Sequence, residues 1–281
     1  MPFLQIEKKR HPSKLVAVVV PRPNRSEFTS DEQISLNHLV HFLGRYDKYL
    51  LVPESLKIDL TGFRIRRFDN KFFGSIRAHR NLMLSEKFYR SFIEYKYILI
   101  YHLDALVFSD QLEEWCNTDF DFVGAPWIKH KDAPYAGDPA YEGKVGNAGF
   151  ALKKIESFIR VLDSKKYAIE PKAHWEKYYA SKKGVTKLFY IHKMLIKYLL
   201  PFNNVKLDVA RFTNLSEEIF WVTKAKHYYP DFKFPPVETA LRFAFESVPR
   251  YCFEVNNYKL PFGCHAWQRY DREFWEPYLL K

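Results

Sequence analysis

The segment KLVAVVVP (Lys14–Pro21) is apolar at every position from Leu15 to Val20 and closes on proline. An unbroken, β-branched run of this length is the pattern of a strand buried on both faces, as in a parallel sheet. In the following RPNRSEFTSDEQISLNHLVHFLGRY, the apolar positions Ile34, Leu39, Val40 and Leu43 share one helical face, and Ser30 or Asp31 is placed to cap that helix. KYLLVP (Lys48–Pro53) is the next apolar run. Strand, helix and strand at this spacing form a βαβ unit, so the sheet is expected to be parallel at this end. RIRRF (Arg64–Phe68) alternates like a third strand, and SIRAHRNLMLSEKFYRSF reads as helical.

YKYILIYHLDALVF (Tyr95–Phe108) carries the most informative interruption. YILIY is expected to be a central strand, and Asp104 lies just beyond its end, inside an otherwise apolar run. In open α/β sheets, ligands bind in the crevice outside the carboxyl ends of the strands. A carboxylate there can face a ligand or metal rather than the core, which explains why its desolvation is tolerated; the competing reading is a turn cap. DQLEEWC then reads as a helical turn and FDFVGAPW (Phe120–Trp127) as another strand. IKHKDAPYAGDPAYEGKVGN is a long polar loop of the kind that usually serves function. AGFALKKI is strand-like, and a basic helical stretch runs from Glu156 to Leu200. SEEIFWV (Ser216–Val222) sets Glu217 and Glu218 at a helix start, where the macrodipole favours one such charge as a cap but does not need both.

At 47% hydrophobic and 18% aromatic over 281 residues, the chain can bury a sizeable core in one large domain. The formal charge of +11 is uneven. Between Lys153 and Leu200 there are twelve Lys or Arg against four Asp or Glu. Such a surplus attracts nucleic acid, anionic lipid or a phosphorylated substrate, or simply forms a solvated helix face. Tyr190, Lys193 and Lys197 share one helical face opposite Leu188, Ile191, Leu195 and Leu199, so this helix could lie on a membrane surface or pack on the core.

Cys116, Cys252 and Cys264 form no C-x-x-C pair, which argues against a zinc ribbon or a disulfide framework and for a reducing compartment. With neither a signal-peptide pattern nor a run of about 20 apolar residues, a cytoplasmic protein is expected. There is no G-x-S-x-G, H-E-x-x-H or G-x-G-x-x-G motif. GDPAYEGK has one residue too many between its glycines for a phosphate loop, and Val145 stands where Ser or Thr would be needed.

With these segments assembled, the sequence resembles a GT-A type glycosyltransferase, and more closely the DUF5672 family of bacterial proteins read as glycosyltransferases. VAVVVPRPNRSE is similar to the first strand and nucleotide-wrapping loop of GT-A enzymes, and to the P-F-R-N-R-x-E stretch of β4-galactosyltransferases. YKYILIYHLDALVF and DFDFVGAPW match the family's strongest signatures. GNAGFALKKI resembles its G-N-G-G-F-S-L-R segment, and SEEIFW resembles E-D-x-F-W, where inverting GT-A enzymes keep their base.

The resemblance implies a mixed, mainly parallel α/β sheet flanked by helices, forming one GT-A-like domain. Residues 12–127 would be its donor half and 128–281 its acceptor half, with the basic segment 153–200 in the latter. It implies a hexosyltransferase-like activity on a nucleotide-sugar donor, expected to be a UDP-sugar. The acceptor would be a glycan or lipid-linked molecule made for a surface polysaccharide or lipooligosaccharide, with peripheral contact at an anionic membrane. Pro21, Arg22, Asn24, Arg25, Arg77, Asn81, His102, Leu103, Asp104 and Ala105 are the implied donor residues. Trp127, Asn147, Ala148, Gly149 and Phe150 are the implied acceptor residues, Trp127 and Phe150 through ring stacking.

Glycosyl transfer builds charge on a leaving diphosphate, which GT-A enzymes usually offset with a D-x-D motif and Mn²⁺ or Mg²⁺. Here His102 and Leu106 flank Asp104 at two residues' distance, so the motif is incomplete. Asp104 and His265 are the implied metal ligands, imidazole suiting Mn²⁺ better; without a metal, Arg22, Arg25 or Arg77 would offset the diphosphate. Glu218 is the implied base, with Glu217 holding the acceptor. Two other readings remain: a catalytically inactive GT-A scaffold, and a basic protein that binds single-stranded nucleic acid through the interleaved aromatics. The absence of a recognition motif and the carboxylates at Asp104 and Glu218 weigh against nucleic acid.

Overall fold

The computed structural model describes residues 12–22, 25–178, 180–186, 188, 190–191 and 203–280. The expected mixed, mainly parallel sheet is present. Strands β1 (Lys14–Pro21), β2 (Asp47–Pro53), β3 (Arg64–Phe68) and β4 (Tyr95–Tyr101) are joined by β6 (Phe122–Gly124) and β9 (Phe150–Lys154) in the order β3-β2-β1-β4-β9-β6. β1 runs parallel to β2 and β4, and β2 parallel to β3. β9 is antiparallel to both β4 and β6.

The pleat divides the apolar residues between two cores. Val16, Val18, Val20, Tyr97, Leu99 and Tyr101 face one side, together with Leu36, Leu39 and Leu43 of the helix Ser30–Leu43. Ala17, Val19, Ile98 and Ile100 face the other. There Tyr89, Phe158 and Trp221 bring the helices Glu86–Arg90, Ile155–Leu162 and Glu217–Tyr228 together, with ring centroids 4.9 Å apart for Tyr89–Phe158 and 4.1 Å for Phe158–Trp221.

The helix Ser30–Leu43 differs from its sequence reading in two details. Val40 is 50% exposed, and Leu36 takes its place on the buried face. The cap is Thr29, whose hydroxyl accepts from the Glu32 N–H while the Glu32 carboxylate accepts from the Thr29 N–H. Thr29 and Glu32 have the spacing of a reciprocal capping box, which satisfies two orphan amides where Ser30 or Asp31 would satisfy one. Asp31 is instead paired with Arg272 at 3.0 Å.

Three two-residue strands form a second sheet. β11 (Gly263–Cys264) lies between β10 (Ala244–Phe245), to which it is parallel, and β5 (Leu106–Val107), to which it is antiparallel. Elements this short carry no periodicity, and none is visible in the sequence pattern. A further pair, β7 (Pro126–Trp127) with β8 (Lys144–Val145), closes the base of the long polar loop. The stretch read as one basic helix begins as two, Ile155–Leu162 and Pro171–Tyr178. Lys193 and Lys197, two of the three residues of the proposed membrane-facing surface, lie outside the described residues. Among those described, no helix is long and apolar enough to cross a membrane.

Thr29→Ala is expected to lower the free energy of unfolding by about 1 kcal/mol, whereas Ser30→Ala should leave it within about 0.5 kcal/mol. Urea unfolding of the two variants beside the wild type checks which residue is the cap.

Candidate functional site

The chain turns sharply at the carboxyl end of β4. The Ala105 N–H donates to the His102 carbonyl at 3.0 Å, and the His102 N–H donates to Gly149 O on the neighbouring β9 side at 2.8 Å. Leu103 and Ala105 are buried with the core, so of the four residues from His102 to Asp104 and Ala105 that were expected at the donor, only the half-buried His102 and Asp104 present polar side chains. Asp104 thus follows the carboxyl end of β4 by three residues.

The second sheet delivers the partner of Asp104. Cys264 is in register with Leu106 and Phe245, the His265 N–H donates to Phe245 O at 2.9 Å, and the Trp267 N–H donates to Asp104 O at 3.1 Å. His265 thereby sits between two carboxylates, with Nε2 at 3.3 Å from Asp104 Oδ1 and Nδ1 at 3.2 Å from Glu246 Oε1. Its ring centroid is 5.6 Å from that of His102. One ligand atom from each of His102, Asp104 and His265 can lie within 4.8 Å of the others, so the three could hold a metal ion.

Electrostatics separates the two imidazoles. Burial works to lower the pKa of His265, but Asp104 and Glu246 outweigh it and raise it to about 10. Burial takes His102 down to about 4, with Asp104 opposing and His265 adding to the effect. Burial tends to raise Asp104, but His265 and His102 hold it well below the usual carboxylate range. Two imidazoles and one carboxylate form a mixed nitrogen and oxygen donor set that suits Mn²⁺ better than Mg²⁺.

Asn147, Ala148 and Gly149 connect this group to the paired glutamates. Asn147 Nδ2 donates to Glu246 Oε1 at 2.5 Å, and its Oδ1 accepts from the Gly149 N–H at 3.1 Å. The Ala148 N–H donates to Glu218 Oε1 at 3.0 Å. A Cβ on Gly149 would lie 2.0 Å from His265 Nε2, so only glycine lets the imidazole rest against this backbone.

Ser216 caps the helix Glu217–Tyr228, its Oγ accepting from the Ile219 N–H at 3.4 Å and also lying 3.4 Å from Glu218 Oε2. Buried Glu217 turns toward Arg80, with Nε at 3.6 Å. Burial, then Glu217 and Glu246, raises Glu218 to about 7 against the opposing pull of the Ala148 N–H and His265. The capping reading of this pair is therefore incomplete: the first turn is acidic, but each carboxylate has its own tertiary partner.

Lys153 of β9 is fully buried, with no hydrogen-bond partner for Nζ among the described residues and with the Phe122 and Phe158 rings each 5.5 Å away. Burial lowers it to about 8, with Glu217 and Glu218 opposing. His79, its ring 5.3 Å from that of His102, is lowered to about 4 by burial.

The remaining expected residues are placed unevenly. Pro21 ends β1, and Asn24 lies outside the described residues. Arg22 is buried beneath Phe28, is bonded to the Glu27 carbonyl and pairs with Glu32 at 3.3 Å. Arg25 pairs with the same Glu32 at 2.7 Å. Arg77 and Asn81 are exposed, one turn apart on the helix Ile76–Met83. Trp127 is buried, with its ring 5.0 Å from Tyr141. Phe150 is fully enclosed among Tyr101, Phe243 and Phe262, so it packs in the core rather than offering a face to a sugar. Sequence reasoning missed Glu246, Lys153, His79 and Arg80. The last two share a helix with Arg77, and that clustering was the available signal; Glu246 had none.

Glu218→Gln keeps an oxygen for the Ala148 amide and removes the titration. Because folding raises this carboxyl, the wild type loses stability as pH rises from about 4.5 to about 7, where only the unfolded chain releases the proton freely. The variant lacks that loss. Its stability relative to wild type should increase by on the order of 1–3 kcal/mol between pH 4.5 and pH 8, read from urea unfolding at the two pH values.

The family model described as a protein of unknown function (DUF5672) matches residues 62–265 of the 281, and the chain belongs to that family. No curated protein matches the sequence. Among solved structures, the apo-form glycosyltransferase GlyE of Streptococcus pneumoniae TIGR4 is similar at a TM-score of 0.41 and 11% identity over 95% of this chain and 60% of that one. The catalytic domain of Drosophila β1,4-galactosyltransferase 7, in complex with xylobiose, is similar at a TM-score of 0.30 and 18% identity over 53% of this chain and 52% of that one. The chain thus spans about three fifths and half of the lengths of these two chains.

Proposed function

We propose that this member of the DUF5672 family is an inverting glycosyltransferase, moving a sugar from a nucleotide-sugar donor, expected to be a UDP-sugar, to a hydroxyl of a glycan or lipid-linked acceptor. The observation that carries the reading is the coupling of two unlike sites through Asn147, Ala148 and Gly149. On one side is a carboxyl held near neutrality, Glu218; on the other is the His102, Asp104 and His265 group at the carboxyl end of β4. A base is most effective when its pKa lies near the working pH, and a leaving diphosphate needs positive charge close by.

In this reading the acceptor oxygen attacks the anomeric carbon, the bond from that carbon to the diphosphate breaks, and the nucleoside diphosphate leaves with the bonding pair. Glu218 takes the acceptor proton, and Glu217, steadied by Arg80, orients the acceptor. A divalent cation on His102, Asp104 and His265 would supply positive charge at the diphosphate. Arg22 and Arg25 are both tied to Glu32, whereas exposed Arg77 has no carboxylate partner among the described residues. Arg77 is therefore the arginine assigned to the diphosphate, with Asn81 beside it. Residues 12–127 would form the donor half and 128–281 the acceptor half. The basic surplus between Lys153 and Leu200 supports contact with an anionic membrane, and the three free, buried cysteines suit a reducing cytoplasm.

A thermal-shift screen of nucleotides and nucleotide sugars, with and without Mn²⁺, tests the donor site. A ligand at about 100 times its dissociation constant adds about 2.7 kcal/mol. A uridine nucleotide should raise the melting temperature in the presence of Mn²⁺ and fail to do so in Asp104→Ala; no shift with any nucleotide sinks the reading. Once donor and acceptor are in hand, the transfer rate should rise as pH rises through about 7, where Glu218 loses its proton. Glu218→Gln should slow transfer by about 10²–10⁴-fold and abolish that limb of the pH profile.

A further inference from the structure

Glu246 follows directly on β10, outside every motif that suggested function, and its side chain is only 11% exposed. Its Oε1 receives the Asn147 amide at 2.5 Å and faces His265 Nδ1 at 3.2 Å. Asn147 is itself fixed, because its carbonyl oxygen accepts from the Gly149 N–H. The amide group must therefore point its NH₂ at Glu246. On the other side, the Gly149 backbone presses so closely on His265 Nε2 that no Cβ fits between them. The ring is thus held on two sides, with Nδ1 toward Glu246 and Nε2 toward Asp104.

We propose that Glu246, clamped by Asn147, is the positioning residue that holds the His265 ring so that Nε2 is presented, together with His102 and Asp104, to a divalent cation of the Mn²⁺ class. This rests on the metal-holding part of the reading above. Histidines that bind metals commonly donate their second ring N–H to a carboxylate, which fixes both tautomer and ring orientation. Loss of such a partner weakens metal affinity by about 10–100-fold. Glu246 reaches no other charged group than His265 among the ion pairs of the described residues, so its buried carboxylate has this imidazole as its counterpart.

The test is a Mn²⁺ titration of the full chain, followed by the electron paramagnetic resonance of free Mn²⁺, with ring ¹H–¹⁵N spectra of His265 recorded without metal. Wild type should show one saturable site that Asp104→Ala removes. Glu246→Ala should weaken it by about 10–100-fold and replace a single His265 ring signature by a mixture, while Glu246→Gln, which keeps an acceptor oxygen, should restore the ring signature and much of the affinity. Asn147→Ala removes the clamp but leaves the carboxylate, and should weaken Mn²⁺ binding by a smaller factor; it carries the test if Glu246→Ala does not fold. Unchanged Mn²⁺ affinity and ring spectra in Glu246→Ala, or in Asn147→Ala where that variant stands in, would overturn the positioning role while leaving the metal site intact. A wild type that takes up no Mn²⁺ overturns the metal reading and this proposal with it.

Discussion

The site depends on the contact of the His265 ring with two carboxylates, Asp104 at 3.3 Å from Nε2 and Glu246 at 3.2 Å from Nδ1. Burial of the ring disfavours its charged form, and the two carboxylates at hydrogen-bonding distance oppose that effect. Much of the surrounding architecture serves this contact. The β10-β11-β5 sheet sets the register that brings residue 265 beside residue 104. Gly149 gives up its side chain to make room for the ring, and Asn147 anchors the second carboxylate.

The same economy of charge extends to the glutamate pair. Glu217 and Glu218 are adjacent, and two ionised carboxylates in one buried place repel. Arg80 stands by the first, and buried Lys153 offsets both at longer range. The Ala148 amide steadies the second without fully compensating its burial, which is why Glu218 is held near neutrality rather than in the ordinary carboxylate range. The two carboxylates on one helical turn thus have different tertiary partners, Arg80 for Glu217 and the Ala148 amide for Glu218.

At the end of β1, Arg22 and Arg25 share one carboxylate, while Arg22 Nε is buried with no hydrogen-bond partner among the described residues. Glu32 closes the capping box of its helix and also binds Arg22 and Arg25, so a single carboxylate joins these two arginines to the helix start. Arg22 is covered by the Phe28 ring, 3.7 Å from the guanidinium carbon. Arg77 and Asn81 are exposed on the helix Ile76–Met83. That helix also brings His79 to His102 and Arg80 to Glu217.

What the sequence determined by itself is what local periodicity and desolvation dictate. Unbroken apolar runs made β1, β2 and β4 central strands, the helical spacing between the first two made their pairing parallel, and the end of the third such run placed Asp104 just beyond the carboxyl end of β4. The acidic turn after Ser216 was legible for the same reason, because capping chemistry is local. Phe150 shows the limit: an aromatic ring in a motif reads alike whether it meets a ligand or the core, and its burial against Phe243 and Phe262 came from distant parts of the chain. Glu246 lies 99 positions from Asn147 and 19 from His265, and meets them only when strands of two residues align. Hydrogen bonds between such remote side chains leave no period or spacing to detect, so tertiary structure alone decided which carboxylates meet the imidazole and which is left near neutrality.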